Sequence, residues 1–434
     1  MIRLSNIITS ITVLLLSFGL ASGIERFPPP DFESGYEQPS PTTPHPRQDV
    51  YEYIDVVVLL AALGLSSYLV LRKRSRRAIF VLMVFSLLYF GFWRKGCVCS
   101  IGAIQNIVLS FFDRDYAVPI TITFFFLLPL VFTLFFGRVF CAAVCPLGAI
   151  QDLVLLRPFS VPNWLESGLR LFAYFYLGAA VLFAATGSAF VICRYDPFVS
   201  VFRLSGNFNI LVFGACLLLI SVFIGRPYCR FVCPYGVILR QLSRISKWRV
   251  TITPDECIHC RLCEDSCPFG AIREPTAEWS AHDYNKNRKR LAFLLILLPV
   301  LALLCGWVGS SLNEVTSRMH ATVRLADRIY LEETGKAEGT TDASLAFRGT
   351  GKQVEELYTE ASDIQARFGL GGWIFGGFVG LVIGFKLIGL SIMWQRMDYE
   401  ADRASCLACG RCFEFCPKEH ARQQKVNKKI GKSQ

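Results

Sequence analysis

Seven long apolar runs, at about 54–71, 78–93, 118–136, 168–191, 208–224, 291–308 and 373–393, alternate with polar connectors along the chain. A helix needs about 20 residues to cross a hydrocarbon core of about 30 Å, so each run predicts a membrane span, the second and fifth being short. Ahead of them, residues 1–23 join Arg3 to an apolar stretch at 7–20 and to Ala21, Ser22 and Gly23, the pattern of a cleavable secretory signal. Residues 24–50 carry Pro28, Pro29, Pro30, Pro39, Pro41, Pro44 and Pro46 and predict a stiff, extended periplasmic linker.

With the mature chain starting outside, the connectors 72–77, 137–167 and 225–290 and the tail after 394 face the cytoplasm. The 225–290 connector and the tail are rich in Lys and Arg, as the positive-inside rule requires. The outer 311–372 connector is acidic on balance, and its Val354, Leu357, Ala361, Ile364 and Phe368 recur at helical steps of three and four. That stretch predicts a helix with one apolar face, packed on the membrane domain or docking a partner. The fold class is an all-α integral membrane helical bundle of about seven spans plus a signal segment.

Composition agrees. Of the 434 residues 53% are hydrophobic and the mean hydropathy is +0.42, more apolar surface than one soluble core can use. The formal charge of +11 does not point to nucleic acid. Arg72, Lys73, Arg74, Arg76 and Arg77 crowd beside an apolar run as a topology signal, and the basic tail at 425–432 suits solvent or anionic lipid.

The 17 cysteines repeat as ligand motifs, unlike a secreted disulfide scaffold. CIHCRLCEDSCP supplies Cys257, Cys260, Cys263 and Cys267, and CLACGRCFEFCP supplies Cys406, Cys409, Cys412 and Cys416, both spaced C-x2-C-x2-C-x3-C-P. This spacing lets three thiolates wrap one 4Fe-4S cluster while the fourth reaches the other cluster of a pair. Cys257, Cys260, Cys263 and Cys416 are therefore expected on one cluster, and Cys406, Cys409, Cys412 and Cys267 on the other. Zinc is the alternative occupant of an all-thiolate site. The two motifs return to the same, cytoplasmic, side and form a small two-cluster ferredoxin-like module.

An internal repeat adds four more thiols. GRVFCAAVCPLGAIQDL holds Cys141 and Cys145, and GRPYCRFVCPYGVILRQL holds Cys229 and Cys233. At i, i+4 on a helix both sulfurs of a pair share a face, so the two copies offer four soft ligands for a further cluster or metal at the membrane boundary; buried thiols or a redox dithiol are the alternatives. Facing outward, WRKGCVCSIGAIQN places Cys97 and Cys99, and ICRYDPF places Cys193. SIGAIQN echoes PLGAIQD, so these three form a degenerate third copy, for a metal, a cluster or an outer disulfide. Cys216 and Cys305 lie within apolar runs as small buried residues. His259, His320 and the RGTGK stretch at 348–352 fit neither haem attachment nor a phosphate loop.

The run KGC-x-C-SIGA, GRVFCAAVCPLGA, CRYDP and YCRFVCPYG over about 54–275, with the closing CLACGRCFEFCP, resembles the membrane 4Fe-4S polyferredoxins. It is similar to the nitrous oxide reductase regulator and electron-donor proteins and to the membrane component of the periplasmic nitrate reductase quinol dehydrogenase. The outer flavin domain typical of the former is replaced by the short Pro-rich segment. The resemblance implies electron transport with a separate periplasmic redox protein, a flavoprotein or a reductase, as partner.

The expected protein is a multi-pass component of the bacterial cytoplasmic (inner) membrane with two 4Fe-4S clusters, passing single electrons between a cytoplasmic or quinone-pool donor and a periplasmic acceptor. Soft-metal (copper) reduction or assembly for a periplasmic enzyme, and redox sensing, are the alternatives. No acid, base or nucleophile constellation marks an organic substrate; an enzymatic role would be that of a quinol dehydrogenase subunit. The expected organisation is a signal at 1–23, a linker at 24–50, a membrane domain at 51–250, a first ferredoxin segment at 251–290 and a span at 291–310. A periplasmic loop at 311–372, a span at 373–393 and a second ferredoxin segment with the tail at 394–434 complete it.

Overall fold

The structure, a computed structural model, describes residues 48–96, 99–156, 158–159, 161–203, 207–252, 257–276, 281–392 and 395–430. The signal segment, nearly all of the Pro-rich linker, Cys97 and the end of the basic tail lie outside them.

All seven apolar runs become helices, but not all are long enough to span. Asp49–Lys73, Arg76–Trp93, Trp164–Ala185, Asn285–Ser311 and Val354–Ser391 are long and apolar enough to cross a membrane. The 118–136 run forms Ile120–Phe136, 17 residues held between Pro119 and a left-handed Gly137 (φ 74°). The 208–224 run forms Phe208–Ser221, of 14 residues. Among the described residues, five unbroken helices are thus of spanning length, or six if the bent pair Pro197–Arg203 and Phe208–Ser221 counts as one, against the seven runs of the sequence.

The Ala281–Ser311 and Val354–Ser391 helices pack antiparallel along Gly372, Gly376, Gly380 and Gly384, which oppose Gly309, Cys305, Leu301 and Leu298. A Cβ at Gly376 would collide with the Cys305 carbonyl oxygen. Small residues four apart let two apolar helices approach closely where lipid offers no hydrophobic driving force. The amphipathic stretch is the first part of the same 38-residue Val354–Ser391 helix. Its Leu357, Ala361, Ile364 and Phe368 are buried against Val323, Ala326, Ile329, Phe347 and Leu182, so it packs on the membrane domain. His320 caps the Ala321–Glu333 helix by accepting from Thr322 N, and Arg348 pairs with Glu332, structural roles for two motifs without a chemical one.

The two ferredoxin segments, far apart in sequence, are joined by a short antiparallel pair, Ile272–Arg273 with Glu400–Ala401, in register Ile272 to Ala401. Arg74 and Arg76, read from sequence as a topology signal, do more than that. Arg74 pairs with Glu419 at 2.9 Å and lies 3.9 Å over the Phe413 ring, and Arg76 donates to the Cys409 carbonyl at 3.0 Å. The turn between the first two helices is thus a docking site for the second ferredoxin segment.

Candidate metal centres

The structure gathers the cysteines into groups. Cys257, Cys260 and Cys263 line one pocket with Cys416, together with Ile252, Tyr399 and Pro417. Burial pushes the Cys263 thiol up to about 11, and Cys260 and Cys416 add to it. Cys406, Cys409 and Cys412 converge instead with Cys267: burial drives Cys412 far above the usual thiol range, followed by Cys406, Cys409 and Cys267. The arrangement places Cys416 with the cysteines of the first motif and Cys267 with those of the second. It is built by local backbone, since His259, Arg261, Ala408 and Gly410 take left-handed φ (53°, 62°, 54° and 75°) to curl each loop around its sulfurs.

The repeated pairs form a third group. Cys141, Cys145, Cys229 and Cys233 line one buried pocket with Ile101, Arg138, Phe140, Gly148, Tyr235, Gly236 and Leu239. The shared helix face expected for each pair is not how they meet. Cys141 lies in a single wide turn, Phe140–Val144, and Cys229 in the short Pro227–Phe231 helix. Cys145 (φ −72°, ψ 116°) and Cys233 (φ −59°, ψ 113°) are extended, each just before the proline that opens the next helix. The proline breaks the helix and swings the second sulfur round. Burial, then the charge of Cys229, pushes both Cys145 and Cys233 well above the normal thiol range; Cys229 stands at about 11.

This group has a cationic and polar frame that cysteine spacing alone did not announce. Arg138 Nη2 is 3.7 Å from Cys141 Sγ, Gln151 Nε2 donates to Cys229 Sγ at 3.4 Å, and Gly236 N donates to Cys233 Sγ at 3.3 Å. Arg226, fully buried and left-handed (φ 49°), donates to the Cys141 and Ala142 carbonyls. The arrangement is crosswise: Arg226 of the second copy lies against Gly148 of the first, and Arg138 of the first against Gly236 of the second. The Gly-Arg that precedes each cysteine pair was the sequence signal for both arginines.

Asp152 ties this group to the second ferredoxin quartet. Its buried carboxylate receives Arg76 at 2.8 Å, Arg411 at 3.2 Å and Arg226 at 3.4 Å. Burial alone would push this carboxyl up; Arg226, Arg76 and Arg411 outweigh it and hold it at about 2. For Arg226, burial opposes the charged form, and Asp152 with Cys229, Cys409 and Cys141 outweighs that.

Of the outer three, Cys99 and Cys193 come together and are unbridged; Cys97 lies outside the described residues. A Cβ at Gly102 would sit 3.1 Å from Cys193 Sγ and 3.7 Å from Cys99 Sγ. Ile101, two residues from Cys99, lines the inner quartet's pocket. Cys216 and Cys305 join neither group and are partly buried.

The donor sets can be tested against what they would hold. Around a single tetrahedral zinc with Zn–S of about 2.3 Å, thiolate sulfurs lie within about 4 Å of one another. Among the described residues, the one group of three ligand atoms within 4.8 Å is Cys257, His259 and Asp398, where the His259 ring nitrogen sits 3.0 Å from Asp398. The cysteine quartets are wider than a mononuclear site and suit a polynuclear cluster. Burial raises the thiols of Cys145, Cys233, Cys263, Cys406 and Cys412, as expected of packed thiolates that need a bound cation, mononuclear or polynuclear, to neutralise them.

Comparison with known proteins gives the class. A 4Fe-4S binding domain family matches residues 118–162 and 207–253, one copy on each repeated cysteine pair, and a second 4Fe-4S binding domain family matches residues 250–273. Together with the apolar helices, these matches support a polyferredoxin-like membrane family, at low identity. The chain is 30% identical over 118 residues to the putative electron transport protein YccM of Escherichia coli, covering 25% of this chain and 33% of that protein. It is 30% identical over 122 residues to the protein NirI of Paracoccus denitrificans, covering 27% and 18%. It is 27% identical over 203 residues to the uncharacterized protein MJ0750 of Methanocaldococcus jannaschii, covering 46% and 82%. No solved structure matches.

Proposed function

We propose that this chain conducts single electrons between a cytoplasmic or quinone donor and a redox protein on the outer side of the bacterial inner membrane, through a series of iron-sulfur centres. The ligands in this reading are Cys257, Cys260, Cys263 and Cys416 for one 4Fe-4S cluster, Cys267, Cys406, Cys409 and Cys412 for the second, and Cys141, Cys145, Cys229 and Cys233 for a third. When bound, such clusters take up and release one electron with little rearrangement, at potentials set by hydrogen bonds to sulfur, charge and burial.

The observation that carries the proposal is contiguity. One buried core holds Cys99, Cys141, Cys145, Cys229, Cys233, Cys267, Cys406, Cys409 and Cys412. Arg226 acts on Cys229 and Cys141 of the inner quartet and on Cys409 of the next. Tyr228 N donates to Gln151 beside that quartet, while its hydroxyl reaches Asp196 beside the outer cysteines, at 3.3 Å. These residues exclude water from the path and hold fixed charge around it, which keeps reorganisation small. The description of one relative, YccM, as a putative electron transport protein supports the same reading.

Total iron and acid-labile sulfide per chain, measured on anaerobically purified protein and on a variant with Cys141, Cys145, Cys229 and Cys233 changed to Ser, tests it. About twelve or more irons, falling by about four in the variant, are expected for a third cluster at the repeat. About eight in both proteins would break the series at this point and leave two ferredoxin-type clusters with no path across the membrane.

A further inference from the structure

The inner quartet and the outer cysteines are built on one plan. Cys99, Gly102 and Gln105 repeat Cys145, Gly148 and Gln151 at the same intervals. Gly102 N donates to Cys99 Sγ at 3.3 Å, as Gly236 N does to Cys233 Sγ. Gln105 Oε1 accepts from Ile192 N at 3.0 Å, the residue before Cys193; Gln151 Oε1 accepts from Tyr228 N at 3.0 Å, the residue before Cys229. Cys193 therefore stands where Cys229 stands.

The counterpart of Cys233 is not a cysteine. CRFVCP in the inner copy becomes CRYDP in the outer one, shorter by one residue, and Asp196 precedes the helix-opening Pro197. Its backbone, φ −72° and ψ 112°, matches Cys145 and Cys233 within a few degrees to about a dozen. Asp196 is buried, at 2% exposure, although no arginine or lysine pairs with it among the described residues. Its Oδ1 accepts from Phe198 N at 2.9 Å and its Oδ2 from the Tyr228 hydroxyl at 3.3 Å.

An unpartnered donor marks the same spot. Gln151 Nε2 donates to the Cys229 sulfur, whereas the fully buried Gln105 Nε2, its counterpart, has no acceptor among the described residues. A buried amide donor without a partner is destabilising unless a bound group accepts from it. The charge of Asp196 also acts on both Cys99 and Cys193.

The geometry points to an outer iron-sulfur centre in which the Asp196 carboxylate is an oxygen ligand alongside Cys99 and Cys193, with Gln105 Nε2 donating to its sulfur. This rests on the electron-transfer reading and adds its outer terminus. Ferric iron accepts a hard carboxylate oxygen where a purely soft ion prefers thiolate. Cys193 is exposed, so a partner can reach this centre.

Iron, sulfide and the electron paramagnetic resonance spectrum of the reduced protein decide it, on four full-length proteins: wild type, Asp196→Ala, Asp196→Cys and a Cys99→Ser/Cys193→Ser pair. Asp196→Ala and the cysteine pair are each expected to lose the same signal and the same amount of iron, keeping the remaining clusters, while Asp196→Cys keeps the iron with a shifted signal. An Asp196→Ala protein with wild-type iron and spectrum, while the cysteine pair loses both, overturns the ligand assignment but leaves the outer centre standing. If the cysteine pair keeps all its iron, the outer centre itself is refuted. If Asp196→Ala loses every cluster, Asp196→Cys decides: failure of Cys to restore the iron reduces Asp196 to a structural cap.

Discussion

Asp152 offers the sharpest test of how the structure joins its centres. Changing it to Asn keeps the shape of the side chain and removes the one carboxylate shared by Arg76, Arg226 and Arg411. The gap between its ordinary value of 3.8 and about 2 in the folded chain corresponds to about 2.5 kcal/mol of net stabilisation at about 1.4 kcal/mol per pH unit. The variant should lose more than that, about 3–5 kcal/mol, because Arg226 is left fully buried without its counter-ion. The sign with pH follows from a depressed carboxyl: its contribution is complete above about 4 and is lost as pH falls through about 2. The difference between wild type and Asp152→Asn should therefore be constant from pH 6 to 8 and shrink only in acid. Unfolding titrations of the detergent-solubilised, anaerobic proteins, with iron counted alongside, provide the measurement. A variant within about 0.5 kcal/mol of wild type that keeps all its iron would refute the claim that this carboxylate holds the two cysteine groups together.

Three further outcomes follow from the same geometry. Cys267→Ser should abolish the same spectroscopic signal as Cys406→Ser, and Cys416→Ser the same signal as Cys257→Ser; a grouping by sequence motif instead would disprove the exchange of fourth ligands. Gly376→Leu should drive apart the Ala281–Ser311 and Val354–Ser391 helices, since even a Cβ there meets the Cys305 carbonyl, and the yield of folded, monodisperse protein should fall severalfold, whereas Gly389→Leu, with open space around it, should be tolerated. Phe368→Ala, in the outer helical cluster, should cost about 3–5 kcal/mol locally, read as faster proteolysis of residues 313–370 with iron content unchanged; lost iron would show that this cluster supports the centres directly.

The sequence by itself determined which residues are apolar enough for a bilayer and which cysteines belong to a repeated spacing. Hydrophobic run length and ligand spacing are local properties, so the helices, the apolar face at Leu357, Ala361, Ile364 and Phe368, and the nearness of Cys416 to Cys257, Cys260 and Cys263 were legible. The span count was less so, because Pro119 and Gly137 set the ends of Ile120–Phe136 by backbone geometry that hydropathy does not register. The helix-face picture of Cys141 and Cys145 failed for a related reason: the proline after Cys145 turns the chain, so i, i+4 stopped meaning one face. What only the tertiary structure decided was who sits between the cysteine groups. Arg226, Asp152 and Tyr228 act across separations of dozens to hundreds of residues, and Asp196 gains its place only once two loops are superposed in space. Such roles depend on burial and on partners brought together by folding, and a charge in a sequence carries neither.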